Sequence, residues 1–96
     1  MTRIIVKKLI WEVSTVEHIK KHAVKTLEAE IAVKNLIVHK KGYNGRYVLT
    51  GRSGTRILSV IVVRQREGEY LAITARDADK KERKKTYDKE KNRPNS

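Results

Sequence analysis

Apolar and polar positions divide the chain into short alternating segments. Ile4-Ile5-Val6 followed by Leu9-Ile10-Trp11 reads as a short strand running into a turn. Ser14-Thr15-Val16-Glu17 fits a capping box, with Ser14 as N-cap and the Glu17 carboxylate reaching back to it. A helix then runs to about His22, with Val16, Ile19 and Ala23 on one face at i, i+3, i+7. Thr26 is a second N-cap. Leu27, Ile31 and Lys34 follow it at helical spacing, and Glu28 and Glu30 suit the positive end of the helix dipole.

The middle of the chain has strand character. Leu36–His39 is a short apolar run, and Gly42-Tyr43-Asn44-Gly45 is turn chemistry. Tyr47–Thr50 opens the next strand, which Gly51-Arg52-Ser53-Gly54 is expected to end. Ile57–Val63 is the richest β-branched segment, and its near-continuous apolarity predicts a central strand covered on both faces. Glu67-Gly68-Glu69 turns the chain into a partner strand, Tyr70–Ala75, and Asp79–Tyr87 is rich in helix formers. The order β-α-α-β-β-β-β-α predicts an α+β fold: a four-to-five-stranded antiparallel sheet, two N-terminal helices and a C-terminal helix. Residues 1–88 form one domain in this reading, and 89–96 a polar, disordered tail.

Composition narrows the class of partner. The 96 residues carry 23 Lys+Arg against 11 Asp+Glu, a net charge of +12, which points to a polyanion and first to nucleic acid. There is no cysteine, which excludes a disulfide framework, a thiolate metal site and a cysteine nucleophile. The longest uninterrupted apolar run, Val60–Val63, is far too short to span a membrane, and the opening residues do not read as a signal peptide. The expectation is a soluble cytoplasmic protein.

Few motifs carry chemistry. His18 and His22 stand at i, i+4 but have no third ligand nearby, so no metal or other cofactor is assigned. His22 keeps an acid–base role open because imidazole titrates near neutral pH. Gly51-Arg52-Ser53-Gly54 lacks the Lys-Ser/Thr and the helix of a phosphate loop. No G-x-S-x-G occurs, and the acids are too scattered for a two-magnesium nuclease. Arg64 and Arg66, two apart on a strand, are expected on one face, with Arg76 near them through the Glu67–Glu69 turn. The plain alternative is an ordinary solvated strand end. Lys80-Lys81-Glu82-Arg83-Lys84-Lys85 has no apolar stripe, so this helix is either a solvated one, laced by an Asp79–Arg83 pair, or an arm that docks something acidic. With Tyr87 as its only large apolar anchor, it is expected to be loosely held.

Longer segments are similar to a known family. Trp11-Glu12, Glu17-His18-Ile19-Lys20-Lys21-His22-Ala23-Val24 and Leu27-Glu28-Ala29 resemble the opening of the BrnT toxin family: W-D/E, a short helix ending K-H-G-V, then F-E-E-A. Arg46–Val63 is similar to that family's R-x-x-x-G…G-R-x-L-x-V-V strands. Ile73-Thr74-Ala75-Arg76-Asp77-Ala78 with Glu82-Arg83 resembles I-I-S-A-R-x-A-x-x-x-E-R, the most specific of the three. The chain departs from the pattern at Ala23 (Gly in the family), His18 (Asn) and Arg64 (Thr).

The resemblance implies a small RelE-like ribonuclease of a type II toxin–antitoxin pair, whose partner is an acidic antitoxin with a ribbon-helix-helix DNA-binding end. It assigns Lys21, His22, Arg66, Arg76 and Glu82 to the catalytic site. Arg52, Arg64, Lys80, Lys81, Lys84 and Lys85 are the added candidates for binding RNA. The expected reaction is metal-independent: the 2′-OH of RNA attacks the adjacent phosphate, His22 or Glu82 moves protons, and Arg66 and Arg76 clamp the phosphate while Lys21 adds charge. The alternative is a non-catalytic basic module that binds nucleic acid, or a decayed toxin that only binds its antitoxin.

Overall fold

The computed structural model describes residues 4–91. The elements are β1 (Lys8–Ile10), α1 (Val13–Lys20), α2 (Thr26–Lys34), β2 (Leu36–Lys41), β3 (Arg46–Ser53), β4 (Arg56–Arg66), β5 (Glu69–Asp77) and α3 (Lys80–Lys91). They form one five-stranded sheet in the order β1-β5-β4-β3-β2 and three helices, an α+β fold. β4 is the central strand, as its apolarity predicts. Leu58, Val60 and Val62 are fully buried on the face covered by α1 and α2, and Ser59 is fully buried on the opposite face beneath α3.

Three of the four strand pairings are antiparallel. The edge strand β1 instead pairs parallel with β5, Leu9 opposite Tyr70. Only three residues of the expected Ile4–Trp11 strand are paired, because the chain enters the sheet at Gly68, whose carbonyl accepts both the Lys7 and Lys8 N–H groups.

The helices differ from expectation at their caps and faces. Ser14 lies inside the first turn of α1; the N-cap is Glu12, and no side chain caps it. In α2 the N-cap is Lys25 rather than Thr26, and its N–H donates to Glu28 at 3.0 Å. Leu27 and Ile31 point outward, while Ala29, Ala32 and Val33 form the buried stripe. Gly51 gives the reason. A Cβ there would sit 1.9 Å from the Ala32 carbonyl oxygen, so the α2 backbone rests directly on β3 and only small residues fit between. Gly51 therefore continues β3 instead of ending it, and the turn falls at Gly54, which has φ +66°.

α1 closes with a Schellman turn. Val24 N–H donates to Ile19 O and Ala23 N–H to Lys20 O, and Ala23 takes a left-handed φ of 56°. Ile19 and Val24, both buried, supply the apolar contact of this motif. α3 runs to Lys91, three residues past the expected domain limit. The rest of the expected tail, 92–96, lies outside the described residues. Among the described residues no helix is long and apolar enough to cross a membrane.

Candidate functional site

The α3 face of the sheet is laid out by strand register. Residues directly opposite each other share a face, so Thr50, Ser59 and Arg76 form one row across β3, β4 and β5. α3 lies over this row, and Glu82 reaches down from its first turn. The Arg76 guanidinium donates to both Glu82 oxygens, at 2.7 and 3.1 Å. Glu82 also accepts from the Ser59 hydroxyl at 2.8 Å and from the Asp79 N–H at 2.9 Å, while Asp79 accepts the Glu82 N–H at 2.8 Å in a reciprocal capping box. Thr50 and Ser59 exchange a buried hydroxyl bond of 2.8 Å beneath them.

This environment fixes the charge state of Glu82. Burial alone would raise its pKa, but the bonds from Arg76, Asp79 and Ser59 outweigh it and hold the carboxyl down at about 2. Glu82 is a carboxylate at any working pH, with its lone pairs committed. It suits orienting Arg76 better than carrying a proton. Arg76 itself is about one-third exposed. Nη1 donates to Glu82 and to the Asp77 carbonyl, which leaves Nε–H and one N–H of Nη2 to meet a phosphate oxygen.

α3 is held by polar groups. Glu82, Thr86 and Glu90, spaced i, i+4, i+8, form its sheet-facing stripe. Thr86 is fully buried, and Glu90 takes Arg52 in a two-bond pair. Tyr87, the expected anchor, is 52% exposed and lies 6.0 Å from the Arg52 guanidinium. The expected Asp79–Arg83 pair is replaced by an Arg83 bond to the Ala78 carbonyl at 2.9 Å.

The other expected site residues do not converge. A register shift pairs Arg64 with Tyr70 and Arg66 with Glu69. Tyr70 and Glu69 are neighbours whose side chains leave the sheet on opposite faces, so the bulge sends Arg64 and Arg66 apart. Arg66 is also at the wrong end. Arg76 stands opposite Ser59, seven positions from Arg66 along β4, roughly 23 Å at about 3.3 Å per residue. Strand direction is the cause: the Glu67–Glu69 turn joins the end of β4 to the start of β5, whereas Arg76 lies near the far end of β5.

Lys21 and His22 sit, exposed, in the turn after α1, on the α1/α2 side of the sheet, and the His22 ring meets His18 edge-on at 5.3 Å. They share a sheet end with Arg76 but lie across β5 from it. The link is Arg56, which the sequence reading missed. Its Nε and Nη2 grip Asp77 at 2.8 and 3.2 Å, Nη1 donates to Ala23 O at 2.8 Å and to Glu28 at 3.2 Å, and Nη2 reaches His22 O at 3.4 Å. All five guanidinium N–H groups are used. The pKa of Asp77 is lowered chiefly by its bonds to Arg56; that of Glu28 is lowered first by the Lys25 N–H and then by Arg56. The sequence signal for Ser59 was its place as a lone hydroxyl in an aliphatic strand; for Arg56 no local signal exists.

Among the described residues no group of three or more His, Asp or Glu is placed to hold a metal. No family model matches the chain, and no curated protein sequence does. Among solved structures, the ribonuclease toxin BrnT of Brucella abortus is similar to it, with a TM-score of 0.63 and 19% identity over 75% of this chain and 96% of that one. The fold is BrnT-like.

Proposed function

We propose that this chain is a toxin-type endoribonuclease that cleaves RNA without a metal ion, and that it belongs with the BrnT toxins. The observation that carries the reading is the Arg76 guanidinium, pinned by a permanently ionised Glu82 yet left with free donors, on a fold shared with a ribonuclease toxin. Four carboxylates at or near the site are engaged by arginines, Glu82 with Arg76, Glu90 with Arg52, and Asp77 and Glu28 with Arg56, which suits anion binding rather than divalent-cation binding.

In the reaction the 2′-oxygen forms a bond to phosphorus and loses its proton, while the bond to the 5′-oxygen breaks and that oxygen gains one. The products are a 2′,3′-cyclic phosphate and a 5′-hydroxyl. Arg76 stabilises the phosphorane charge, and Lys21 adds positive potential at the same sheet end; His22, on the opposite face from Arg76, is not placed to pass a proton at the phosphate that Arg76 holds. Glu82 positions Arg76. The partner under this reading is an acidic antitoxin with a ribbon-helix-helix end.

A second reading, a basic module that binds RNA or an antitoxin without cleaving, is favoured by one feature: His22 and Arg76 lie on opposite faces of the sheet. The test is incubation of pure protein with a long RNA in EDTA. Cleavage that falls roughly 100-fold or more in Arg76→Ala supports the nuclease. Intact RNA with wild-type protein supports the binding module.

A further inference from the structure

We infer that the groove between β2 and α3 is a binding site for the backbone of single-stranded RNA, and that Lys40, Lys81 and Lys85 are its phosphate contacts. The inference deepens the ribonuclease reading and rests on it for the choice of ligand. The groove has a volume of about 110 Å³. One wall is β2 and β3, with Lys40 at its edge; the other is α3, with Lys81 and Lys85 one helical turn apart. All three lysines are exposed, and among the described residues no side chain is hydrogen-bonded or ion-paired to any of their ammonium groups. Val38, Val48 and Thr50 form the floor.

The acidic residues bordering the groove offset only part of this charge: Glu82 is neutralised by Arg76, and Asp79, bonded to the Glu82 N–H, sets one carboxylate against three lysines. Cations therefore face each other across a narrow trough whose inner end is Glu82, so a strand lying in it is led to Arg76. Among the residues lining the trough only His39 carries an aromatic ring, and strand alternation turns it away from the face that Val38 and Lys40 share, so bases gain little stacking there. Affinity then comes from phosphate neutralisation: independent of sequence and steep in salt. A narrow, two-walled groove accepts one extended strand rather than a duplex.

The geometry also sorts the basic residues of the chain. Lys80 and Lys84 do not line the groove, Arg52 is taken by Glu90, and Arg64 faces the opposite side of the sheet. These four drop out of the contact set, and Lys40 enters it.

The experiment is fluorescence anisotropy with a labelled single strand of 2′-O-methyl RNA, which has no free 2′-hydroxyl and cannot be cleaved, over a series of KCl concentrations. Each phosphate contact contributes about 0.7 to the slope of log K against log salt. Lys40→Gln, Lys81→Gln and Lys85→Gln combined should flatten the slope by about 2. Lys7→Gln, Lys8→Gln and Lys34→Gln, exposed lysines outside the groove that remove the same charge, should leave it nearly unchanged, as should Lys80→Gln with Lys84→Gln. Equal losses in both triple variants, an unchanged slope in the groove variant, or no binding by wild type would overturn the assignment. So would a poly-glutamate peptide that binds through the same three lysines while the RNA strand does not, since the site would then serve an acidic protein. Because no cleavage is measured, a protein that binds here yet leaves natural RNA intact sinks the nuclease reading and keeps the groove.

Discussion

Replacing Arg56 by Met keeps most of the side-chain length and removes the guanidinium that ties α1, α2, β4 and β5 together. The bonds to Asp77 and the Ala23 carbonyl are lost, leaving a carboxylate and a left-handed turn unsupported. A hydrogen bond to a charged group contributes about 1.5–3 kcal/mol. Asp77 is largely exposed and Arg56 about one-quarter exposed, so solvent screening reduces each. We expect a net loss of about 2 kcal/mol from the Asp77 and Ala23 bonds. For a domain of this size that lowers Tm by roughly 10 °C. Differential scanning calorimetry of both proteins across pH checks it. The Asp77 pKa is depressed in the fold, so its contribution is fully present above its ordinary value of 3.8 and is lost as pH falls through the lower folded value. The gap between wild type and Arg56→Met should therefore be constant near neutral pH and narrow below about pH 4. A gap that persists undiminished in acid would show that Arg56 acts through packing of its stem, and a gap under about 0.5 kcal/mol would refute the clasp.

Glu82→Gln should cost about 2 kcal/mol after solvent screening. Since the Glu82 pKa falls from 4.5 to about 2, the wild-type advantage holds above pH 4.5 and disappears as pH drops towards 2, as an acid titration followed by circular dichroism would show. Gly51→Ala drives a methyl group into the Ala32 carbonyl and should destabilise by about 3 kcal/mol or more, read by urea denaturation. Ala23→Gly relieves a left-handed alanine and should stabilise by about 0.5–1 kcal/mol, raising Tm by a few degrees.

The parts of the fold that rest on local pattern were legible. β4 announced itself by an aliphatic run that only a strand buried on both faces supports, and Gly68 marked its turn as expected. What escaped the sequence was set by distant partners. β1 pairs with β5 across the whole chain, and no local feature encodes a parallel edge. α2 buries alanines instead of its larger Leu27 and Ile31 because Gly51 draws the helix against β3. α3 was expected to be loosely held for want of an apolar stripe, yet its sheet-facing Glu82 and Glu90 meet arginines and a serine on the strands, and Thr86 between them is fully buried.

The candidate site divides in the same way. The motif resemblance put Arg76 and Glu82 in one site, but their two-bond ion pair came from the structure, and Glu82, expected to move protons, is held ionised by it. Arg66 was misplaced because spacing of two on a strand says nothing of a bulge, and proximity in sequence says nothing of which strand end a residue occupies. His22 was expected beside the arginines; instead Arg56 holds its turn on the other face, a constraint spread over residues from 22 to 77.

In the proposed reaction Arg76 meets the phosphate undergoing cleavage. The most direct measurement is single-turnover cleavage of a defined RNA in EDTA by wild-type, Arg76→Ala and Arg76→Lys proteins, with product ends identified. The account predicts 2′,3′-cyclic phosphate and 5′-hydroxyl ends, a rate loss of roughly 100-fold or more in Arg76→Ala, and only partial recovery in Arg76→Lys, because an ammonium lacks the fork that holds Glu82 and phosphate together. Equal rates in all three proteins would contradict it, as would cleavage that appears only when a divalent metal is added.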